Sequence, residues 1–354
     1  MINVLILGGT GAIGSHLVRH LALGEVNCVV TSRKKRQGDT NFSYALGDAH
    51  DMNFIQLILS ERNWDAIVDF MSYSTEEFKA RYHLYLSSTK QYIYLSSSRV
   101  YAESEGQLIE KSPRLLDVCK DERYLATDEY ALKKARQEDI LHNSGYANWT
   151  IIRPYVTFSE QRLQLSPLEK ECWLYRAVHG RTIVFSKDLA EKTTTLTYGQ
   201  DVARGIASLI GKEKAKGNVY HITVSETHKW TEILQAYLNA FEKKTGKRPK
   251  VLLTEKWEPF HGGNEPQVTY DRMYDRKFDN RNINKFIDTD TFKPTIPALT
   301  ACLTTFLDNP VFKDINWRWE ARKDRLTGEW ANISEIQGIK QKIVYTLIRI
   351  GINL

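Results

Sequence analysis

Cysteine is scarce in this chain: four residues in 354, and Cys28, Cys119, Cys172 and Cys302 show no CxxC or Cys/His metal spacing. That argues against a disulfide framework and a structural zinc site, and it fits a reducing compartment. No metal is expected. Long apolar runs are missing too. The first, "INVLIL", follows Met1 with no basic flank or cleavage site and is too short to span a bilayer. The expectation is a cytoplasmic protein without a transmembrane segment. A strong charge bias is also absent: 49 Lys and Arg stand against 43 Asp and Glu, a net +6 too mild to mark a nucleic-acid binder. Internal repeats and low-complexity tracts are lacking.

What is present is ordinary globular material, 42% hydrophobic and 26% charged, in a length that suits two cooperating lobes. "INVLILGG" is an apolar run ending in glycine, the pattern of a buried parallel strand, and "SHLVRHLAL" follows with helical spacing. "NCVVTSR", "FSYALGDA", "DAIVDFMS", "QYIYLSSS" and "ANWTIIRP" repeat the strand signal, with helical stretches between them, one of them over roughly residues 75–89. Such alternation predicts an α/β fold: a doubly wound parallel sheet of Rossmann type with a smaller mixed C-terminal substrate lobe. Residues 1–155 are assigned to the dinucleotide-binding domain, with 195–225 returning to it. Residues 156–194 and 226–330 are assigned to the substrate lobe, and 331–354 to an amphipathic, basic C-terminal helix. Docking of that helix on its own domain or on a partner subunit is the commoner use, and a membrane-surface helix is the alternative.

Three short motifs carry chemistry. Gly8, Gly9, Gly11 and Gly14 follow the first strand and open the first helix, where bare backbone lets a pyrophosphate approach the helix N-terminus. In "DEYALKKARQED", Tyr130 and Lys134 stand four apart on one helix face, and an ammonium beside a phenol favours the phenolate and so proton exchange near neutral pH. "YLSSSRVY" places serine hydroxyls at the C-terminal end of the fifth strand, the edge where ligands sit in open α/β sheets.

Their order and spacing resemble the extended short-chain dehydrogenase/reductase family, whose best-known members act on nucleotide sugars. Gly8, Gly11 and Gly14 match its GxxGxxG, "GDAHD" its adenine-contacting segment, "SSSRVY" its SSxxVYG, and "IIRP" a strand that contacts the nicotinamide. The resemblance implies Ser97, Tyr130 and Lys134 as catalytic residues, and Gly8, Thr10, Gly11, Ile13, Gly14, Asp48 and Pro154 as cofactor contacts. It also implies Glu138 as a frequent acid of the catalytic helix and a homodimer. Two departures bear on substrate. Ser98 and Arg99 stand where the family's sugar dehydratases carry Asp-Glu, which disfavours loss of water. Thr194 stands where an arginine commonly clamps the nucleotide diphosphate, leaving Arg162, Lys192 and Arg276 as candidate replacements.

The dinucleotide itself is read from "VVTSRKKR". An NAD-preferring site has an acid near the end of the second strand, whereas this chain has Ser32 and Arg33 there and no acid before Asp39. A guanidinium suits a 2′-phosphate, so NADP is expected first and NAD second, with Arg33 and Ser32 as contacts. The expected function is NAD(P)-dependent epimerisation of a nucleotide-activated sugar. NADPH-dependent keto-sugar reduction is the alternative, and a catalytically silent nucleotide- or RNA-binding relative the non-enzymatic one.

Overall fold

The computed structural model describes residues 2–352. The chain divides into two compact units. The first runs up to Ser159 and regains Thr195–Glu226 and Arg276–Thr295; the second holds Glu160–Thr194, Thr227–Asp275 and the chain from Ile296 on.

Unit one is built on seven strands: β1 (Ile2–Leu7), β2 (Val26–Ser32), β3 (Phe42–Leu46), β4 (Ala66–Asp69), β5 (Tyr92–Leu95), β6 (Trp149–Pro154) and β7 (Asn218–Ile222). All pairings are parallel, in the order β7-β6-β5-β4-β1-β2-β3. Val4 lies opposite Cys28 on one side and Ala66 on the other, which sets the register at the centre. Side chains alternate across this sheet, and both faces are covered. Val4, Ile6, Val30, Val68, Ile93 and Ile152 pack with Leu17, Val18 and Leu21 of α1 (Gly14–Ala22) and with the helix Gly199–Leu209. Leu5, Leu7, Ile67, Tyr92 and Tyr94 pack on the other face. Their partners come from α2 (Met52–Ser60), α3 (Thr75–Lys79), α4 (Tyr82–Ser87) and α5 (Tyr130–His142). Val4 to Leu7 are wholly buried, so each contributes roughly 1.5–3 kcal/mol of burial energy. This two-sided burial explains why β1 reads as a continuous apolar run.

Two expectations are corrected here. The helix anticipated over 75–89 is two helices. A Ser74–Glu77 capping box starts α3, and the chain breaks at Arg81 (φ −125°), whose guanidinium bonds to the His50 carbonyl and lies 4.4 Å over the Tyr73 ring. Residues 276–295, expected in the smaller lobe, pack in unit one: the Leu108 N–H donates to the Lys277 carbonyl, and the Asp279 N–H to the Leu108 carbonyl.

Unit two has a short parallel pair, Ile183–Ser186 with Val251–Thr254, and the helices Lys170–Val178 and Trp230–Thr245. It also holds a helical hairpin of α6 (Trp317–Thr327) and α7 (Ile339–Arg349). Tyr175, Trp317, Ala321, Tyr345 and Ile348 form the hairpin's core. The helix expected over 331–354 starts only at Ile339, after a turn at Ile333–Glu335 and a left-handed Gly338.

Candidate active site

The strand order of unit one reverses between β1 and β4, so a crevice opens outside their C-terminal ends. Gly8 turns the chain there with φ +72°, its N–H donating to Thr31 Oγ1 at 3.0 Å. A Cβ at Gly8 would stand 2.7 Å from Met71 Sδ, and one at Gly14 would stand 2.6 Å from the Gly9 backbone, so only glycine lets α1 start this close. Around Gly11 the space is open, with no heavy atom within 4 Å of where a Cβ would lie. α1 has Ile13 at its N-cap, with no side-chain cap and no acid in its first turn, leaving its positive dipole end uncompensated.

Beside this turn lies a hollow of about 240 Å³ whose walls include Gly8, Thr10, Ser32, Arg33 and Asp48. Arg33 is exposed on it. The Ser32 hydroxyl donates to the Lys34 carbonyl at 2.8 Å and accepts from the Lys34 N–H at 3.3 Å, so it folds the loop that carries Arg33. Asp48 Oδ1 accepts from the His50 N–H at 3.0 Å, shaping the turn into α2.

The three serines after β5 have separate fates. Ser96 Oγ donates to Glu138 Oε1 at 2.5 Å, and Ser98 Oγ donates to the Arg153 carbonyl at 2.8 Å. Ser97 Oγ accepts from the Arg99 N–H at 3.2 Å, which leaves its own proton uncommitted to those buried partners. Tyr130 opens α5, which packs on the turn Ser98–Val100. Lys134, one turn on, is buried; its Nζ donates to the Leu95 carbonyl at 2.6 Å and the Met71 carbonyl at 3.4 Å, and lies 4.5 Å over the Tyr94 ring. Burial pulls this amine down to about 8, against the attraction of Asp69. The structure thus brings Ser97, Tyr130 and Lys134 to the ends of β4 and β5, and Pro154 to the end of β6.

Sequence reasoning missed Asp69 and did not foresee the partners of Arg99 and Glu138. Asp69, the last residue of β4, is fully buried between the Tyr92 hydroxyl (2.7 Å) and the Met71 N–H (2.8 Å), and burial raises it to about 6. Its signal was an acid closing an apolar strand. Arg99 pairs with Glu129 at 2.8 Å and lies 5.2 Å over the Tyr130 ring, a contact between residues thirty apart that no local pattern announces. Glu138 meets Arg153 at 2.6 and 2.8 Å. Burial opposes charge on Glu138, but Arg153, Ser96 and Arg114 hold its carboxyl below the usual range. Among the candidate substrate residues, Arg276 is wholly buried and donates to the carbonyls of Ala102 (2.9 Å) and Tyr101 (3.0 Å). It clamps the chain after β5 and is withdrawn as a substrate contact. Arg162 is exposed and pairs loosely with Glu169 at 3.4 Å, and Lys192 is half-buried; both belong to unit two. No cluster of three metal-ligating side chains occurs among the described residues.

Residues 4–87 match the model of the NAD dependent epimerase/dehydratase family. A UDP-glucose 4-epimerase of Lacticaseibacillus casei is 25% identical over 162 residues, covering 40% of this chain and 46% of that protein; the match thus spans about half of the relative's length. Solved structures share the fold across nearly the whole chain. The Bordetella bronchiseptica enzyme WbmH in complex with NAD+ has a TM-score of 0.66 at 17% identity, covering 88% of this chain and 100% of that one. The dTDP-glucose 4,6-dehydratase of Bacillus anthracis in complex with NAD gives 0.65 at 15%, covering 87% and 97%. The UDP-glucuronic acid 4-epimerase of Bacillus cereus, with UDP-glucuronic acid and NAD, gives 0.61 at 16%, covering 87% and 98%. The sequence match to the NAD dependent epimerase/dehydratase family model covers residues 4–87, and these solved structures, at 15–17% identity, share the chain's fold.

Proposed function

We propose that the chain is an NAD(P)-dependent epimerase acting on a nucleotide-activated sugar. The observation that carries this reading is the gathering of one uncommitted serine, one phenol and one buried amine at the ends of β4 and β5. Ser96 and Ser98 are spent on Glu138 and the Arg153 carbonyl, which supports Ser97 as the serine that holds the reacting oxygen. Tyr130 would exchange the hydroxyl proton, and Lys134 would grip the nicotinamide ribose from its seat on the Leu95 carbonyl.

The residues present fit a nicotinamide dinucleotide. The open backbone at Gly11 and the uncapped α1 suit a pyrophosphate, with Gly8, Thr10, Ile13 and Gly14 around it. Asp48 suits the adenine end and Pro154 the nicotinamide end. When bound, that cofactor supplies the hydride acceptor and donor; the protein orients it and moves the proton. Epimerisation is favoured over dehydration because Ser98 is bonded inward and Arg99 is a cation paired with Glu129, so neither supplies an acid that expels water. The similarity to a UDP-glucose 4-epimerase supports a UDP-sugar as the first substrate to try. Arg162 and Lys192 are the proposed substrate-side cations.

Arg33 on the hollow, with no acid at the end of β2, favours NADP(H) and with it a second reading, NADPH-dependent reduction of a keto-sugar. One experiment separates the two: incubate the protein with NAD+, NADP+ or NADPH and a panel of nucleotide sugars and identify the sugars formed. A new epimer without net cofactor consumption supports the epimerase. Stoichiometric loss of NADPH supports the reductase, and no new sugar in any arm contradicts both. A homodimer is proposed on the resemblance; a monomer mass at every concentration in light scattering would contradict it.

A further inference from the structure

The C-terminal hairpin sorts its side chains in an unusual way. Its acids turn inward: Glu320 and Asp324 bond to Arg176 at 2.8 Å each, Asp324 and Glu335 to Arg181 at 2.9 and 3.3 Å, and Glu329 to Arg176 at 3.2 Å. Both arginines are buried, so these carboxylates are neutralised inside unit two. The outer surface keeps the opposite charge. Arg322, Arg325 and Lys340 are exposed, Lys342 and Arg349 half-exposed, and α7 contains no acid at all.

The same surface is apolar. Of the fifteen large apolar side chains exposed among the described residues, seven fall between Leu326 and Ile352. On α7, Tyr345 and Ile348 face the core, while Ile339 (78% exposed), Ile343 (54%) and Ile350 (59%), spaced by four and then seven residues, form a stripe on the opposite side. Lys340 flanks the stripe on one side, Lys342 and Arg349 on the other. Trp330, half exposed with the Arg349 guanidinium 4.7 Å over its ring, adds an amphipathic aromatic nearby.

From this arrangement we propose that α7 and the Trp330 loop dock on an anionic lipid surface, the isoleucines entering the headgroup boundary and the cations meeting the phosphates. Charge selects this occupant. A second copy seated two-fold on the stripe would set Lys340, Lys342 and Arg349 against the same cations, with the hairpin's acids already paired inside. Phosphate headgroups beside acyl chains match both the apolar stripe and its basic flanks. Attachment of this kind is peripheral: no helix of the described residues is long and apolar enough to cross a membrane.

The test is co-sedimentation of the full chain with vesicles of phosphatidylcholine alone and of phosphatidylcholine mixed with phosphatidylglycerol, at low and high salt. Binding is expected to the mixed vesicles only, weakening as salt rises. The double variant Ile343→Glu, Ile350→Glu should bind roughly tenfold or more weakly, since two large apolar side chains no longer enter the boundary. Should that variant lose helix by circular dichroism, Lys340→Glu, Lys342→Glu replaces it as the decisive pair and should also release the protein. Absence of binding to mixed vesicles, equal binding to both kinds, or binding that both variants retain overturns the proposal. So does an oligomer mass that falls to the monomer in either variant without vesicle binding by the wild type, which would assign the stripe to a second copy.

Discussion

Lys134 and Arg176 are both buried cations, and they are satisfied in opposite ways. Lys134, in unit one, is bonded to two main-chain carbonyls, with no carboxylate in salt-bridge reach, and its amine is drawn down to about 8 by burial. Arg176, in unit two, touches three carboxylates and the Thr182 carbonyl. An incompletely compensated charge is costly to bury, and such cost is tolerated where a ligand completes the set. A fully paired one asks for no ligand and acts as a staple. Lys134 thus has the environment of the proposed chemical site, and Arg176 that of a structural staple.

The largest way to break this contrast is at the staple. Arg176→Met leaves Glu320 to Lys323 and Arg181, Asp324 to Arg181, and Glu329 with no cation but only the Thr182 and Thr327 donors, so unfolding should become easier by about 3–5 kcal/mol. Urea denaturation followed by circular dichroism measures this; a loss within error would mean that the cluster is not load-sharing. Lys134→Met should do something different. An amine whose folded value is about 8 and whose unfolded value is the ordinary one near 10.5 binds fewer protons folded than unfolded between those limits. Its presence therefore makes stability rise with pH from about 8 to 10.5, by at most roughly 3 kcal/mol. Wild type minus Lys134→Met, measured by denaturant at several pH values, should climb across that window. A flat difference contradicts a destabilised amine.

How much of this contrast was legible beforehand depends on sequence distance. The glycine turn, Ser97 and the Tyr130–Lys134 pair are local patterns, set by a strand end, a family motif and a helix turn. Ser97 was singled out from its neighbours by the resemblance of "SSSRVY" to the family's SSxxVYG, which places it three residues before Val100. The Arg176 cluster could not be read, because its carboxylates lie some 140–150 residues away and nothing near Arg176 announces them. Arg276 failed for the same reason: in sequence it is one cation among many, and only the carbonyls of Tyr101 and Ala102 make it a clamp. The break at Arg81 was hidden by "HLYL", which keeps helical spacing although the chain is redirected to reach Tyr73 and His50.

A smaller effect sharpens the ligand side of the comparison. If Arg33 on the hollow meets a 2′-phosphate, Arg33→Ala should weaken NADP(H) by roughly 1.5–3 kcal/mol, the worth of a charge-assisted hydrogen bond, and leave NAD(H) nearly unchanged. Titration of both dinucleotides into both proteins decides it. Equal losses, or tighter NAD(H) binding by the wild type, contradict NADP preference.

The most direct test of a chemical site at the ends of β4 and β5 is turnover by Tyr130→Phe, read against its melting temperature and its cofactor affinity. The substitution keeps the ring under the Arg99 guanidinium and removes only the hydroxyl. Turnover on the sugar nucleotide found by product analysis should fall by about 10² or more, while melting and dinucleotide binding stay at wild-type values. Near-wild-type turnover, with the protein folded and the cofactor bound, would contradict the account.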